Sequence, residues 1–370
     1  MPKKLLLAGG GHAHMMTLAN LHKFTEKGYQ VTVIQPSPYH YYSGMGPGML
    51  GNTYSPEEIR FATKHVVEKQ GGTFILGKVN KVDPEACNVF LESGESVPYD
   101  VVSFNVGSNV PNHLITEPAK NIFTVKPIER LHAARELILD IAARKQVKVG
   151  IIGGGASSVE IGGNVWGLTQ GKSSAPAEVK IFARTTLMAK FPARVRSQAI
   201  NKLIDRGIEI IEHCDATEIK NGAIHFASHQ PYEPDIIFVA IGVRPSPVFK
   251  TSGLAIGPEG GLIVNKYLQC VDHPNIFGGG DCIYFKENPL DKVGVYAVRE
   301  NPVLLHNLMA ALERSALKEF EPGGDYLLIF NLGGGEGLFR KKCLLFGGRL
   351  AFLLKDYIDR KFIKKFQALE

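Results

Sequence analysis

The chain has 370 residues, 44% of them hydrophobic, and a formal net charge of +6; that is enough apolar material for two domains, each with its own core. The N-terminal apolar run at residues 5–8 stops at glycines, too short for a secretory signal, and no segment reaches the roughly 18 apolar residues that would span a bilayer, so a cytoplasmic protein is expected. Nine basic residues between Arg340 and Lys365 stand against Asp356 and Asp359 alone, which leaves about −1 for the rest of the chain; this local basicity excludes a uniformly basic, nucleic-acid-binding surface and predicts a docking face at the C-terminal end.

In chain order, the pattern predicts a strand at residues 4–8, a glycine turn at Gly9, Gly10 and Gly11, a helix over residues 12–27 and a strand at 30–35. A long loop follows, then a strand at 100–106 closed by Gly107. The same order returns: strand 147–152, a turn at Gly153 and Gly155, helix 156–168, strand 178–183, and strand 235–241 closed by Gly242. The runs YDVVSFNVGS and PDIIFVAIGV share an acid, a near-continuous apolar stretch and a glycine, as parallel strands buried on both faces require. The chain therefore contains a degenerate internal repeat. A strand at 275–280, a helix at 293–312 and a C-terminal amphipathic helix at 350–366 complete the reading. In that last helix Leu350, Leu353, Leu354, Tyr357, Ile358, Phe362 and Phe366 form an apolar stripe, with Lys355, Arg360, Lys361, Lys364 and Lys365 largely off it. Two uses of such a helix stay open: a terminal helix packed on the core, or one lying on anionic lipid.

Both glycine turns connect an apolar strand to an apolar-periodic helix, the context in which a phosphate-cradling fingerprint is credible. Gly9 and Gly153 make the tight turn, and Gly11 and Gly155 let backbone N–H groups approach a pyrophosphate at the positive end of the following helix. Together they predict two dinucleotide sites. Both depart from the usual pattern at its third glycine, replaced by His14 and Ser158. The five cysteines, Cys87, Cys214, Cys270, Cys282 and Cys343, include no Cys-x-x-Cys pair, so neither a disulfide framework nor a metal site is expected.

The order GGGHAH, PYHYYSGMGPGMLG, FNVGS, IIGGGASSVEIGG, VAIGVRP, NIFGGGDC, KVGVYAVRENP and LLKDYIDRKF resembles the two-dinucleotide flavoprotein superfamily, which includes type II NADH dehydrogenases, sulfide:quinone oxidoreductases and pyridine nucleotide-disulfide reductases. YYSGMGPG, GVYAVRENPVL and KDYIDRKF look most like the branch found fused to selenide, water dikinase. The resemblance implies an α/β protein of two Rossmann-like domains: an FAD domain (1–112 and 263–320) interrupted by an NAD(P) domain (113–262), with a C-terminal region at 321–370. It assigns Gly9, Gly10, Gly11, His12, Ala13, Gln35, Ser43, Gly44, Gly107, Gly280, Asp281 and Val293 to FAD. Gly153, Gly155, Ala156, Ser157, Arg184 and Gly242 fall to the nicotinamide nucleotide. Glu160 would face the nicotinamide, and Lys292, before a helix N-terminus, the N1 and O2 edge of the flavin, where reduction adds negative charge.

Residues 41–45 occupy the place of the redox cysteine pair of disulfide reductases and contain no cysteine, which disfavours that activity. Gln35 stands where a carboxylate usually meets the adenosine ribose. In the second unit Ala183 precedes Arg184, which suits a ribose 2′-phosphate, so NADPH ranks equally with NADH. His12, His14, His40 and Lys126 lie near the cofactor loops without an acid–base role. The expected activity is electron transfer from NAD(P)H through FAD to a second acceptor, with a quinone favoured by the basic tail and a peripheral contact on the inner face of the cell membrane. Two alternatives remain: oxidation of sulfide or handling of a sulfur or selenium species, for which Cys282 and Cys343 would supply thiolates, and a non-catalytic flavin-bearing module that delivers a redox signal or docks on a selenophosphate-synthesis partner. A homodimer is a further candidate assembly.

Overall fold

A computed structural model describes residues 1–171 and 175–370. In chain order the strands that build its two main sheets are β1 (Lys4–Ala8), β2 (Gln30–Gln35), β3 (Thr73–Leu76), β4 (Val101–Phe104), β5 (Ile122–Thr124), β6 (Lys148–Ile152), β7 (Glu178–Phe182), β8 (Glu209–Ile211), β9 (Ile236–Val239) and β10 (Ile276–Gly278). The first sheet runs β10-β4-β1-β2-β3 and the second β5-β9-β6-β7-β8, every pair parallel. The repeat read from the sequence is thus a repeat of topology. Only the outermost strand differs in origin: β10 returns from beyond the second unit, whereas β5 precedes it. β4 and β9 are buried at every position, which explains their continuous apolar runs.

The helix expected over residues 12–27 is broken. A 3-10 turn, His12–His14, leads into α1 (Met15–Leu18), and the chain resumes as α2 (His22–Thr25). Gln70 accounts for the break: its amide donates to the carbonyl of Leu18 (2.7 Å) and its Oε1 accepts the N–H of His22 (3.2 Å), so backbone groups freed by the interruption are satisfied from a distant side chain. The other helices match their expectation closely: α3 (Ala156–Thr169), α4 (Gly294–Glu313) and α5 (Arg349–Gln367).

The C-terminal region is an antiparallel meander, β11 (Leu328–Gly333), β12 (Glu336–Lys341) and β13 (Leu344–Gly348), followed by α5. It is pressed onto the second unit through glycines of α3. A Cβ on Gly163 would lie 2.1 Å from the carbonyl oxygen of Leu332, so only a bare backbone permits the contact. Arg206 fastens the same joint, bonded to the carbonyls of Leu332 and Gly333, paired with Glu336 at 2.7 Å and stacked 4.2 Å over Trp166.

α5 is turned otherwise than its stripe predicted. Its buried positions are Ala351, Lys355, Asp359, Ile363 and Phe366, while Leu350, Leu353 and Tyr357 are 60–68% exposed and Ile358 38%. Lys355, expected on the solvated face, is 8% exposed, because Asp359 one turn away neutralises it at 2.6 Å and the carbonyl of Gly44 accepts a second bond at 2.8 Å.

Candidate active site

The first glycine turn is enclosed. Gly9 adopts φ +89°, and a Cβ there would lie 2.3 Å from the Asn105 carbonyl oxygen; a Cβ on Gly10 would meet Gln35 Oε1 at 2.1 Å, and one on Gly11 the Asn105 side chain at 2.1 Å. Asn105, which sequence reasoning passed over inside FNVGS, clamps two loops together: Oδ1 accepts the N–H of Ala13 (3.2 Å) and Nδ2 donates to the Gly279 carbonyl (2.6 Å). His14 occupies the third-glycine position by turning inward. Its Nδ1–H donates to the Gly9 carbonyl (2.6 Å) and Nε2 accepts the Ser103 hydroxyl (2.7 Å). Burial, against that bond to Gly9, lowers its pKa to about 4, so the ring is a neutral structural bridge.

Around this turn several polar atoms lack partners. Among the described residues His12 Nε2, Gln35 Oε1, His40 Nε2 and Thr63 Oγ1 are buried without a hydrogen bond. The rings of His12 and His40 meet edge to face at 5.0 Å, and Tyr42 lies 5.1 Å from His12. Burial brings His12 to about 4, although Asp281 raises it, and His40 to about 3; each neutral ring keeps one donor and one acceptor. Unmade buried bonds of this kind cost about 1–3 kcal/mol each. Their concentration beside a phosphate-cradling turn fits a ligand rich in hydroxyl and phosphate groups, as FAD is. Gln35, at the end of β2, is anchored through Nε2 to the carbonyls of Ser37 and Tyr39, both 2.8 Å away, and so turns its oxygen to the turn.

Beyond β10, Asp281 accepts hydrogen bonds from Ser108 Oγ and Lys126 Nζ, both at 2.7 Å. Burial opposes its ionisation, but Lys126 and those bonds prevail and hold the carboxyl below its ordinary range. Lys126, unassigned from sequence, is therefore its counter-ion. Gly107 and Gly242 end equivalent strands, and the segments after them join: Ser108–Asn109 pairs antiparallel with Arg244–Pro245. Lys292 is bonded to the Ile283 carbonyl and paired with Glu259 at 2.9 Å. With Gly280, Asp281 and Val293 it also borders a small cavity.

The second turn repeats the first but is open. Gly153 has φ +146°, and a Cβ would lie 2.2 Å from the Ala240 carbonyl oxygen, yet one on Gly155 would meet nothing within 4 Å. Gly155 and Ser157 are exposed and Ala156 partly so. Ser158 is fully buried, small enough for the helix to approach the sheet. Arg184, just past β7, is exposed and has no ion pair among the described residues.

Glu160 points from α3 to the C-terminal region. Its Oε1 accepts the N–H of Asn331 at 2.8 Å. Burial raises its pKa, with Lys355 and that bond opposing and Asp359 reinforcing. Asp359 also accepts the Tyr42 hydroxyl at 3.1 Å, so α5 contributes a lysine and an acid beside the loop that carries Ser43 and Gly44. Sequence reasoning missed this pair, whose signal was the Lys–Asp spacing of four. Cys282 is buried, its thiol directed to the carbonyls of Phe104 (3.4 Å) and Gly279 (3.3 Å), and burial pushes its pKa up to about 12. Burial thus favours the thiol form at Cys282, while Cys343, the other cysteine of that alternative, is exposed.

An enclosed glycine turn ringed by unpaired polar atoms, repeated as an open turn on a second parallel sheet, defines a two-dinucleotide oxidoreductase. The chain belongs to the pyridine nucleotide-disulphide oxidoreductase family, whose model matches residues 3–307. It is a pyridine nucleotide-dependent flavoprotein oxidoreductase using FAD and NAD(P)H. Ferroptosis suppressor protein 1 of Xenopus tropicalis is 26% identical over 280 residues, covering 72% of this chain and 70% of the relative. Type II NADH:quinone oxidoreductase of Staphylococcus aureus is 24% identical, covering 98% of this chain and 96% of the relative. In fold, the chain is similar to sulfide:quinone oxidoreductase of Aquifex aeolicus, with a TM-score of 0.80, 16% identity and coverage of 100% and 92%. It is also similar to NDH2 of Plasmodium falciparum in complex with NADH, with a TM-score of 0.76, 14% identity and coverage of 98% for both.

Proposed function

We propose that the chain oxidises NADPH or NADH through FAD and passes the electrons to a quinone at a membrane surface. The observation that carries this is the two-faced α5. Leu350, Leu353 and Tyr357, with Leu344 of the preceding hairpin, are each more than half exposed, and Lys341, Lys342, Arg349, Lys361, Lys364 and Lys365 of the same hairpin and helix are exposed as well. Exposed large apolar side chains on an element rich in exposed basic residues suit the interface of an anionic bilayer. Inward, Lys355 and Asp359 reach the loop at Tyr42 and Gly44, so an acceptor entering beside the helix would meet polar groups able to hold a proton. No described helix is long and apolar enough to cross a membrane, which suits a peripheral contact. Two relatives of similar length and fold carry quinone in their names.

In this reading residues 1–112 and 263–320 hold FAD, 113–262 the nucleotide, and 321–370 the membrane face. Bound FAD would supply the hydride acceptor and the onward electron carrier. The Gly9 to Ala13 turn, Gln35 and Asp281 would hold it, and the Gly153 to Ser157 turn would present the nucleotide. Arg184 would meet a 2′-phosphate. In support, a water-forming NADH oxidase and its engineered NADPH-bound form, both structural neighbours, differ by replacements that include aspartate to alanine and, at the next position, alanine to arginine; here Ala183 precedes Arg184. The test is flotation with anionic vesicles together with quinone reduction. The chain should float at low salt and be released at high salt, and Leu353→Ser with Tyr357→Ser should lose both flotation and most reduction of a long-chain quinone. A chain that reduces such a quinone equally well without binding vesicles would refute the membrane reading.

A further inference from the structure

Glu300 lies in the second turn of α4, 1% exposed, and has no part in the reading above. Its Oε2 accepts the N–H of Gly280, so the carboxyl sits directly behind the turn that carries Asp281. A Cβ on Gly279 would fall 2.9 Å from the same oxygen; the turn is pressed against the acid. Beside it is a cavity of about 10 Å³, lined among others by Gly280, Asp281, Lys292, Val293 and Tyr296, room for one water with polar partners on several sides. The charged groups that face Glu300 are Asp281 from the turn and Lys292 from the approach to α4. Asp281 is paired with Lys126 and Lys292 with Glu259, and Asp291 borders the cavity. Burial, opposed by the Gly280 N–H, raises Glu300 to about 7, with Asp281 pushing it up and Lys292 down. The acid is therefore poised to exchange a proton in neutral solution.

We propose that Glu300 is a proton-storing positioning residue for the flavin: through the cavity water it takes up a proton when the flavin is reduced and returns it when the flavin is reoxidised. This rests on the FAD assignment of Asp281 and Val293. The hydride from the nucleotide brings the flavin two electrons and one proton. A second proton leaves a solvent hydronium, and a new O–H bond forms on the Glu300 carboxylate; no other group is oxidised or reduced. Negative charge added one layer away favours the protonated acid, and by reciprocity the protonated acid favours the reduced flavin.

The experiment is a spectroscopic titration of the flavin midpoint potential of the full chain between about pH 5 and about pH 9. In the native protein the slope against pH doubles, from one to two protons per two electrons, across the interval between the Glu300 titrations of the oxidised and reduced forms. In Glu300→Gln the slope stays single. Lys292→Met keeps the acid but removes the cation that holds it down, and moves the interval to higher pH. Superimposable slopes for the native protein and Glu300→Gln, or an interval that Lys292→Met leaves in place, would overturn the proposal. A chain that binds no flavin overturns the FAD reading itself, whereas a flavin-loaded chain of single slope overturns only the role of Glu300.

Discussion

Replacing Lys355 by methionine leaves Asp359 buried at 5% exposure with its cation gone and the Gly44 carbonyl deprived of a donor. An isolated buried carboxylate takes up a proton instead of staying charged, so the penalty has a ceiling. From the ordinary aspartate value of 3.8, protonation at pH 7 costs at most about 4 kcal/mol at 1.36 kcal/mol per unit. Burial already raises Asp359 in the native chain against the pull of Lys355, which brings the real cost below that ceiling; the lost bond to Gly44 returns about 1 kcal/mol. Lys355→Met should therefore destabilise the protein by about 3–4 kcal/mol at pH 7. In the variant Asp359 binds its proton more tightly folded than unfolded, so the penalty grows as pH rises and shrinks to about 1 kcal/mol at pH 5. Lys355→Met with Asp359→Asn removes the stranded charge but keeps an acceptor for Tyr42, and should cost less than Lys355→Met alone. Urea unfolding of the three proteins at both pH values measures this. Equal losses at pH 5 and pH 7, or a double variant as destabilised as Lys355→Met alone, would refute a buried pair as the anchor of α5.

Three further outcomes follow from the site. Gly153→Ala, strained at φ +146° and 2.2 Å from a carbonyl oxygen, should leave the flavin bound while abolishing its bleaching by NADH and NADPH under anaerobic mixing. Arg184→Glu should raise the KM for NADPH about ten- to a hundredfold, the worth of one charge-assisted bond, with little change for NADH; equal effects on both would deny Arg184 contact with a 2′-phosphate. Glu300, raised from 4.5 to about 7 on folding, stabilises least at high pH: its contribution is complete below pH 4.5 and lost as pH passes 7, about 3 kcal/mol in all. Thermal melts of Glu300→Gln should lack that decline.

What could be read from the chain depended on whether the deciding partner lay nearby. The parallel strands and both glycine turns were legible because burial on two faces and the approach of backbone to phosphate each leave a local pattern. His14 was not, since its partner Ser103 stands 89 positions away, and the break after Leu18 was hidden for the same reason, being stabilised by Gln70. In α5 the apolar spacing identified the helix but not its rotation. An arithmetic of stripes counts Lys355 and Asp359 as solvent-facing, whereas their mutual neutralisation lets both go inside and turns Leu353 and Tyr357 out. Asn105 and Glu300 left weaker signals, an amide after a buried strand and the one acid among the buried positions of its helix, and their roles come from loops that the sheets bring together.

In the proposed reading, the divergence of the two turns would separate a resident flavin from a passing nucleotide. Both begin alike, with Gly9 and Gly153 pressed to the carbonyl of a neighbouring strand. At the next functional glycine they part: the direction a side chain would take from Gly11 is filled by Asn105, while that from Gly155 is open. Asn105 also ties its loop to the turn after β10, and the orphaned atoms of Gln35, Thr63, His12 and His40 lie around the first glycine turn. A ligand that satisfies those atoms leaves slowly, because departure re-exposes every unmade bond. At the second turn Gly155 and Ser157 are already in water, and of its residues Ser158 carries the one buried unpartnered oxygen, so release leaves fewer unmade bonds. In the proposed reading, one fold used twice would hold a retained flavin on the first sheet and an exchangeable nucleotide on the second, the asymmetry that repeated turnover requires.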